Sequence, residues 1–288
     1  PLGDREYAIW TVRGRRKIAF RGTDPSPALT DSMGNRQPLA PENGRVTVWA
    51  GTAPIYLASD QPVALIGAER PEYDERPPEI SCPIDDFSNP ARWAVDNRRD
   101  LYLETYAADL LYTQGIFTVR TVLDEEKGLC TEVEMQPQPE VPDLYARYLS
   151  LRLKNPVTLD REVARIGMWV KGNSCWGRVF WEFEDAGGER YFSTSNEGSG
   201  WDVSDWRARS AINFDGWCFV SLAVPKRYPG GYHGPTDRDW SYDGDGVVKH
   251  PLTVRRVVVA LRDRQVYVDR MVDSAGRAIR LSGLVAGE

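Results

Sequence analysis

Apolar residues in this chain come in short runs that alternate with polar ones, and Gly, Pro, Asp and Asn interrupt the runs at intervals of roughly ten residues. Stretches with a 3.6-residue period are nearly absent. The pattern predicts an all-β protein. Segment 97–113, through Leu101, Tyr106, Leu110 and Leu111, is the best place for a helical turn, and a strand fits it too. Early strands are predicted near 7–12, 16–20, 45–49 and 55–58, linked by turns such as Pro41-Glu42-Asn43-Gly44. Later strands are predicted at 101–107, 116–123, 130–136, 145–153, 163–171, 178–184, 189–195, 211–224, 254–262 and 265–272.

Alternation also assigns faces. Leu149, Leu151 and Leu153 point one way, as do Ile166, Met168 and Val170, and likewise Val179, Trp181 and Phe183. These rows are the predicted core. The opposite rows mix rings and charges: Tyr148 with Arg152, Arg165 with Trp169, Arg178 with Phe180 and Glu182, Trp217 with Phe219, and Arg256. A merely solvated face would be polar, so such rows suit either an amphipathic ligand or cover by a long loop.

A chain of 288 residues exceeds one ordinary domain. Between residues 69 and 79 it reads Glu-Arg-Pro-Glu-Tyr-Asp-Glu-Arg-Pro-Pro-Glu, where no regular element can propagate. The predicted division is 1–68 as the C-terminal strands of a small β-sandwich, 69–81 as linker, and 82–288 as a two-sheet antiparallel jelly roll.

The net charge of −6 is spread along the chain, and the arginine pairs 15–16, 98–99 and 255–256 are isolated among acidic and apolar residues, so nucleic acid is not an expected partner. No apolar run approaches a membrane span, and no secretion signal opens the chain. The chain enters a strand pattern at once, and the expectation is a fragment with a partner upstream. Cys82, Cys130, Cys175 and Cys218 lie too far apart in sequence for a zinc or redox motif; they allow disulfides without requiring them. The 10 Trp and 13 Tyr exceed what packing usually demands, so some rings are expected to be exposed.

Residues 7–60 carry a recognisable order: Tyr7-Ala8-Ile9-Trp10-Thr11-Val12, then Asp31-Ser32-Met33-Gly34-Asn35, then Val46-Thr47-Val48-Trp49, and Ala53-Pro54-Ile55-Tyr56-Leu57. This resembles the last strands of the small β-sandwich that packs against the (β/α)8 barrel of many glycoside hydrolases. The resemblance implies a catalytic barrel before Pro1. Further on come Ile84-Asp85-Asp86-Phe87 with Trp93, Gly167 to Asn173, Trp181 to Gly188, Gly216-Trp217, and Val266-Tyr267-Val268-Asp269. Together they resemble the galactose-binding-like jelly rolls used as carbohydrate-binding modules. That family implies a structural calcium ion, with Asp86 and Asp269 at the matching positions. Ser88 stands where the family usually has Glu.

Sugar recognition needs flat rings against C–H faces, with amides, carboxylates and arginines for the hydroxyls. Segment 196–242 supplies Trp201, Trp206, Tyr228, Tyr232 and Trp240 among Asn, Asp and Arg on a Gly- and Pro-rich backbone. Trp169, Arg178 and Glu182 supply a sheet-face alternative. Glu182 and Glu184 share a strand face about 7 Å apart, yet a glycosidase needs carboxylates facing each other across a cleft. His233 and His250 have no Ser, Cys or second His at useful spacing, although His233 beside Tyr232 could shuttle a proton in a lyase, with Tyr232 or Tyr228.

The expected role is therefore a non-catalytic carbohydrate-binding accessory region of an extracellular or periplasmic polysaccharide-degrading glycoside hydrolase. A polysaccharide or oligosaccharide and the upstream catalytic domain are its expected partners. Two alternatives stand beside it: a purely structural module, and a jelly-roll polysaccharide lyase or hydrolase.

Overall fold

The computed structural model describes residues 2–288 apart from 4, 97, 100–110, 143–144, 194–210, 225, 228–244 and 263–277. Two compact units divide the chain, Pro1–Asp74 and Glu75–Glu288. No α-helix occurs among the described residues, and no helix is long and apolar enough to cross a membrane.

The first unit is a two-sheet sandwich. One sheet orders β1 (Glu6–Ile9), β6 (Ile55–Ala58), β3 (Ala28–Thr30) and β4 (Arg36–Pro38); the other orders β5 (Arg45–Ala50), β2 (Arg16–Gly22) and β7 (Val63–Ala68). Period-2 alternation in β5 buries Val46, Val48 and Ala50 and leaves Arg45, Thr47 and Trp49 outside. The sheets meet through Phe20, Leu57 and Val63, with the rings of Tyr7 and Phe20 5.0 Å apart and the Tyr7 hydroxyl donating to the Val63 carbonyl at 2.9 Å. The Asp31-to-Asn35 motif is the β3–β4 turn. Its logic is local, since the Asp31 carboxylate accepts from the Asn35 amide and from the backbone N–H groups of Asn35 and Met33, which also hold its pKa below the ordinary carboxylate value.

The second unit pairs two larger sheets. In one, β13 (Tyr145–Thr158), β18 (Thr253–Leu261), β15 (Arg178–Glu184) and β16 (Arg190–Phe192) lie side by side, and β9 (Trp93–Asp96) and β10 (Leu111–Gln114) share the free edge of β13. In the other, the order is β11 (Phe117–Asp124), β12 (Gly128–Met135), β19 (Ala278–Gly287), β14 (Arg165–Asn173) and β17 (Asp215–Ala223), with β8 (Ser81–Asp85) on the edge of β19 that β12 leaves free. Every pairing is antiparallel except β10 with β13. The all-β architecture with a two-sheet jelly roll is therefore the observed one.

Leu149, Leu151, Leu153, Ile166, Met168, Val170, Val179, Trp181 and Phe183 are all buried, and they form the inner faces. The predicted candidate helix at 97–113 falls mostly outside the described residues, as does the predicted strand at 265–272. The structure adds a strand that periodicity did not single out, β19, which lies in the middle of its sheet. All four cysteines are free, and three of them are buried.

Candidate functional site

Register decides which side chains share the outward face of the β14 sheet. One row crosses all five strands: Arg120, Glu132, Arg280, Lys171 and Trp217. The neighbouring row places Trp169 opposite Phe219, their rings edge to face at 5.5 Å. A Cβ on Gly167 would come within 2.8 Å of the Phe219 ring, so glycine is what lets that ring lie down against the sheet. Trp169 and Trp217 are diagonal cross-strand neighbours, and both are half-buried.

The β11–β12 hairpin turn folds back over this face and ties the row together. The side chain of Asp124 is fully buried at the turn's start, where it accepts from Lys171 Nζ at 2.7 Å, Arg280 at 2.7 Å and the Trp217 indole N–H at 2.9 Å. The Glu126 backbone N–H donates to it as well. Burial alone would push this carboxyl up, but those four donors outweigh it and hold the pKa far below the ordinary value. Glu132 is treated in the same way: burial would raise its pKa, while Arg120 at 2.6 Å and Arg280 at 3.0 Å lower it. From the same turn, Lys127 places its ammonium 3.5 Å from the centre of the Trp169 ring, and burial pushes that amine's pKa down.

The corresponding face of the β15 sheet is closed. Tyr148, Phe180, Val258 and Ala260 are inaccessible to solvent, packed with Tyr112, Ala146 and Phe192. Tyr112 and Phe180 meet edge to face at 5.9 Å. Among these rings lies a buried ion pair, Glu182 with Arg256, whose guanidinium also donates to the Ser150 hydroxyl at 3.0 Å and lies 5.0 Å over the Phe192 ring. At the rim, Asp96 receives Arg98 at 2.9 Å and Arg152 at 3.3 Å.

Glu184 is bound differently from Glu182, because a β-bulge in β18 re-aims Arg255. Arg255 reaches the Glu184 carboxylate at 2.6 Å and Arg190 reaches it at 3.1 Å. Burial would raise the Glu184 pKa; these two guanidiniums lower it. A general acid for glycoside cleavage needs a raised pKa, so Glu184 is set for salt-bridging rather than for proton delivery.

Of the residues singled out in the sequence, Trp169 lies on the β14 sheet and Arg178 and Glu182 lie on the β15 sheet, so the structure does not bring the three together. Trp201, Trp206, Tyr228, Tyr232, Trp240, His233 and Asp269 are outside the described residues. Asp86 is exposed, and its carboxylate accepts both the N–H and the hydroxyl of Ser88, which lower its pKa. Among the described residues no three His, Cys, Asp or Glu side chains gather as a metal cluster, and Asp269, expected to complete the calcium pair with Asp86, lies outside them. Sequence reasoning missed Asp124, because a carboxylate in a charged hairpin turn reads as solvated.

No protein-family model matches this sequence, and neither does any curated protein. Among solved structures, similarity is found to a family 11 carbohydrate-binding module from Clostridium thermocellum in complex with a β-1,3-1,4-mixed-linked tetrasaccharide. That match has 9% identity and a TM-score of 0.39, covering 72% of this chain and 95% of the other. A CBM22 tandem domain of Paenibacillus barcinonensis Xyn10C matches at 8% identity and a TM-score of 0.30, covering 99% of this chain and 79% of that one. The agarase AgWH50C matches at 12% identity and a TM-score of 0.32, over 72% of this chain and 24% of its own. Likenesses this distant do not reach function, and the fold assignment rests on the strand order itself.

Proposed function

We propose that the second unit binds carbohydrate reversibly, as an accessory region of an extracellular or periplasmic polysaccharide-degrading enzyme, and does no chemistry itself. The observation that supports this most is the outward face of the β14 sheet. Two half-buried indoles lie beside a row of charges whose carboxylates, Asp124 and Glu132, are held ionised by cations. The cations fixed by these buried carboxylates, Arg120, Lys171 and Arg280, are part-exposed and offer donors to sugar hydroxyls at little ordering cost. Neither carboxylate is poised to exchange a proton near neutral pH, as general acid–base catalysis would require.

The aromatic segment 196–242, with Trp201, Trp206, Tyr228, Tyr232 and Trp240, is proposed to supply further stacking surface, and Asp86 with Asp269 a calcium ligand pair. A module of modest affinity raises the effective concentration of polymer around an attached catalytic domain. Affinity electrophoresis of the full chain against neutral polysaccharides should reveal a retarded complex, and Trp201→Ala, Trp240→Ala and Trp169→Ala should each weaken it. A panel without any retardation would end this reading.

A second reading is favoured by the closed face around Tyr148 and Phe180, which a module used only as a scaffold would also show. It predicts the blank panel, together with a measurable affinity for the catalytic domain.

A further inference from the structure

In the first unit, the three-stranded sheet turns Ile18, Phe20, Val46 and Val48 to the core. Its outward face has three rungs set by register: Arg21 opposite Arg45, Ala19 opposite Thr47, and Lys17 opposite Trp49. Like charges directly opposite each other, with Cβ atoms about 5 Å apart, repel. The usual remedy is a carboxylate within reach. One end of the face has it, since Arg15 pairs with Glu72 at 2.8 Å and Lys17 lies 3.9 Å from Glu69. At the other end, among the described residues, neither Arg21 nor Arg45 has a side-chain partner.

These two arginines line a groove of about 550 Å³ together with Glu42, Asn43, Thr47 and Ile66. A second hollow of about 140 Å³ shares Arg45 and Thr47 with it and continues over Ala19 and Gly67 towards Lys17. The floor is made of small residues, and a Cβ built on Gly67 would touch nothing within 4 Å. The groove's end is rigid because Asn43 and Gly44 both have positive φ, 53° and 70°, as a two-residue hairpin turn requires, and Glu42 and Arg45 exchange backbone hydrogen bonds at 2.9 Å. Four residues along β5, roughly 13 Å, separate Arg45 from Trp49, a residue 41% exposed.

We propose that this face binds an acidic saccharide, with a carboxylate or sulfate oxyanion held between Arg21 and Arg45 and the sugar chain lying over Ala19, Thr47 and Gly67 towards Trp49. Two guanidinium forks converging on one open groove match the planar, bidentate geometry that carboxylate and sulfate present. The small-residue floor leaves room for rings; at the far end the Trp49 ring is already engaged by Arg15 at 4.6 Å and Lys17 at 5.0 Å and offers the part of its surface that these cations leave exposed. Glu42 is the carboxylate that lines the groove; it makes no ion pair with either arginine and tempers affinity for anions. The site extends the proposed carbohydrate role to the first unit and depends on that reading only for the choice of saccharide probes.

The test is titration of the full chain by calorimetry with trigalacturonate, a sulfated heparin tetrasaccharide, inorganic sulfate and a neutral oligosaccharide. Binding of one or both acidic saccharides, weakened about tenfold or more by Arg21→Gln and by Arg45→Gln, strengthened by Glu42→Gln and lost in high salt, is the expected result. Which acidic probe binds identifies the oxyanion. Three outcomes overturn the proposal: no acidic saccharide binds at millimolar concentration, the arginine variants bind as the parent does, or inorganic sulfate binds as tightly as the saccharides. Trp201→Ala and Trp240→Ala should leave this binding intact, so its failure is distinguishable from failure of the site proposed in the second unit.

Discussion

Two outward sheet faces, one in each unit, are assembled from the same kinds of residue and reach opposite electrostatic states. On the β14 sheet of the second unit, Lys171, Arg280 and Arg120 are matched by Asp124 and Glu132. On the β2 sheet of the first unit, Arg21 and Arg45 face each other without a carboxylate between them. Composition does not separate these cases, since positive and negative residues balance over the first 74 positions. What separates them is one turn. The β11–β12 hairpin carries Asp124 back across its own sheet, whereas the tight turn before β5 leaves Glu42 beside its groove without an ion pair. A face with its charges cancelled from within is a scaffold for neutral contacts, and one left uncancelled is a site for a counter-charge from outside.

The comparison breaks most directly at Asp124. Asp124→Asn should cost about 3 kcal/mol or more of unfolding free energy, because it removes a buried charge shared by two cations, and urea denaturation will measure the loss. The pH dependence has a defined sign. A carboxyl whose pKa is lowered on folding contributes stability that is complete above its unfolded value, near 4, and that drains away as the pH falls below it. The parent should therefore lose stability steeply in acid, and Asp124→Asn should show a flatter acid limb. Equal acid limbs would mean that Asp124 is not the hub.

The closed face of the β15 sheet offers the next test. Glu182→Gln takes the carboxylate away from the buried Arg256 guanidinium over the Phe192 ring, and should cost about 2–4 kcal/mol. The double change Glu182→Leu with Arg256→Met should recover much of that loss, because the pair contributes less than the penalty for breaking it. If the double variant is no better than the single one, the Ser150 bond and the ring contacts hold this face rather than the ion pair.

The smallest effect is expected where the charges are uncancelled. Arg21→Gln removes like-charge repulsion and should leave the unfolding free energy, followed by thermal unfolding, unchanged or raise it by no more than about 1 kcal/mol. A clear loss of stability would show that Arg21 has a structural partner and would reduce the contrast between the two faces.

The inner faces were legible in the sequence because a period of two survives through β13, β14 and β15, and the rows read as core are buried together. Strand β19 was harder to read. It opens with the alternation Ile279-Arg280-Leu281-Ser282, but the positive φ of Gly283 and the bulges that follow disturb the period, and both of its edges are occupied by other strands. The mixed rows were assigned to the right strand faces, yet alternation cannot say which strands share a sheet. For that reason Trp169 and Glu182, both candidates for one sugar, are on different sheets. Nor can local pattern foresee a hairpin folding over its own sheet, which is what buries Asp124.

The position of β19 also sets a schedule. Its partner β8 lies nearly two hundred residues earlier in the chain, with Asp85 aligned to Leu284. During synthesis from the N-terminus, β11, β12, β14 and β17 are all made before the strand that joins them. The sheet therefore waits with open edges until residues 278–287 emerge, a long-range closure of the kind that makes folding slow and leaves edges exposed to wrong partners. Residues 278–287 act as the latch of the second unit.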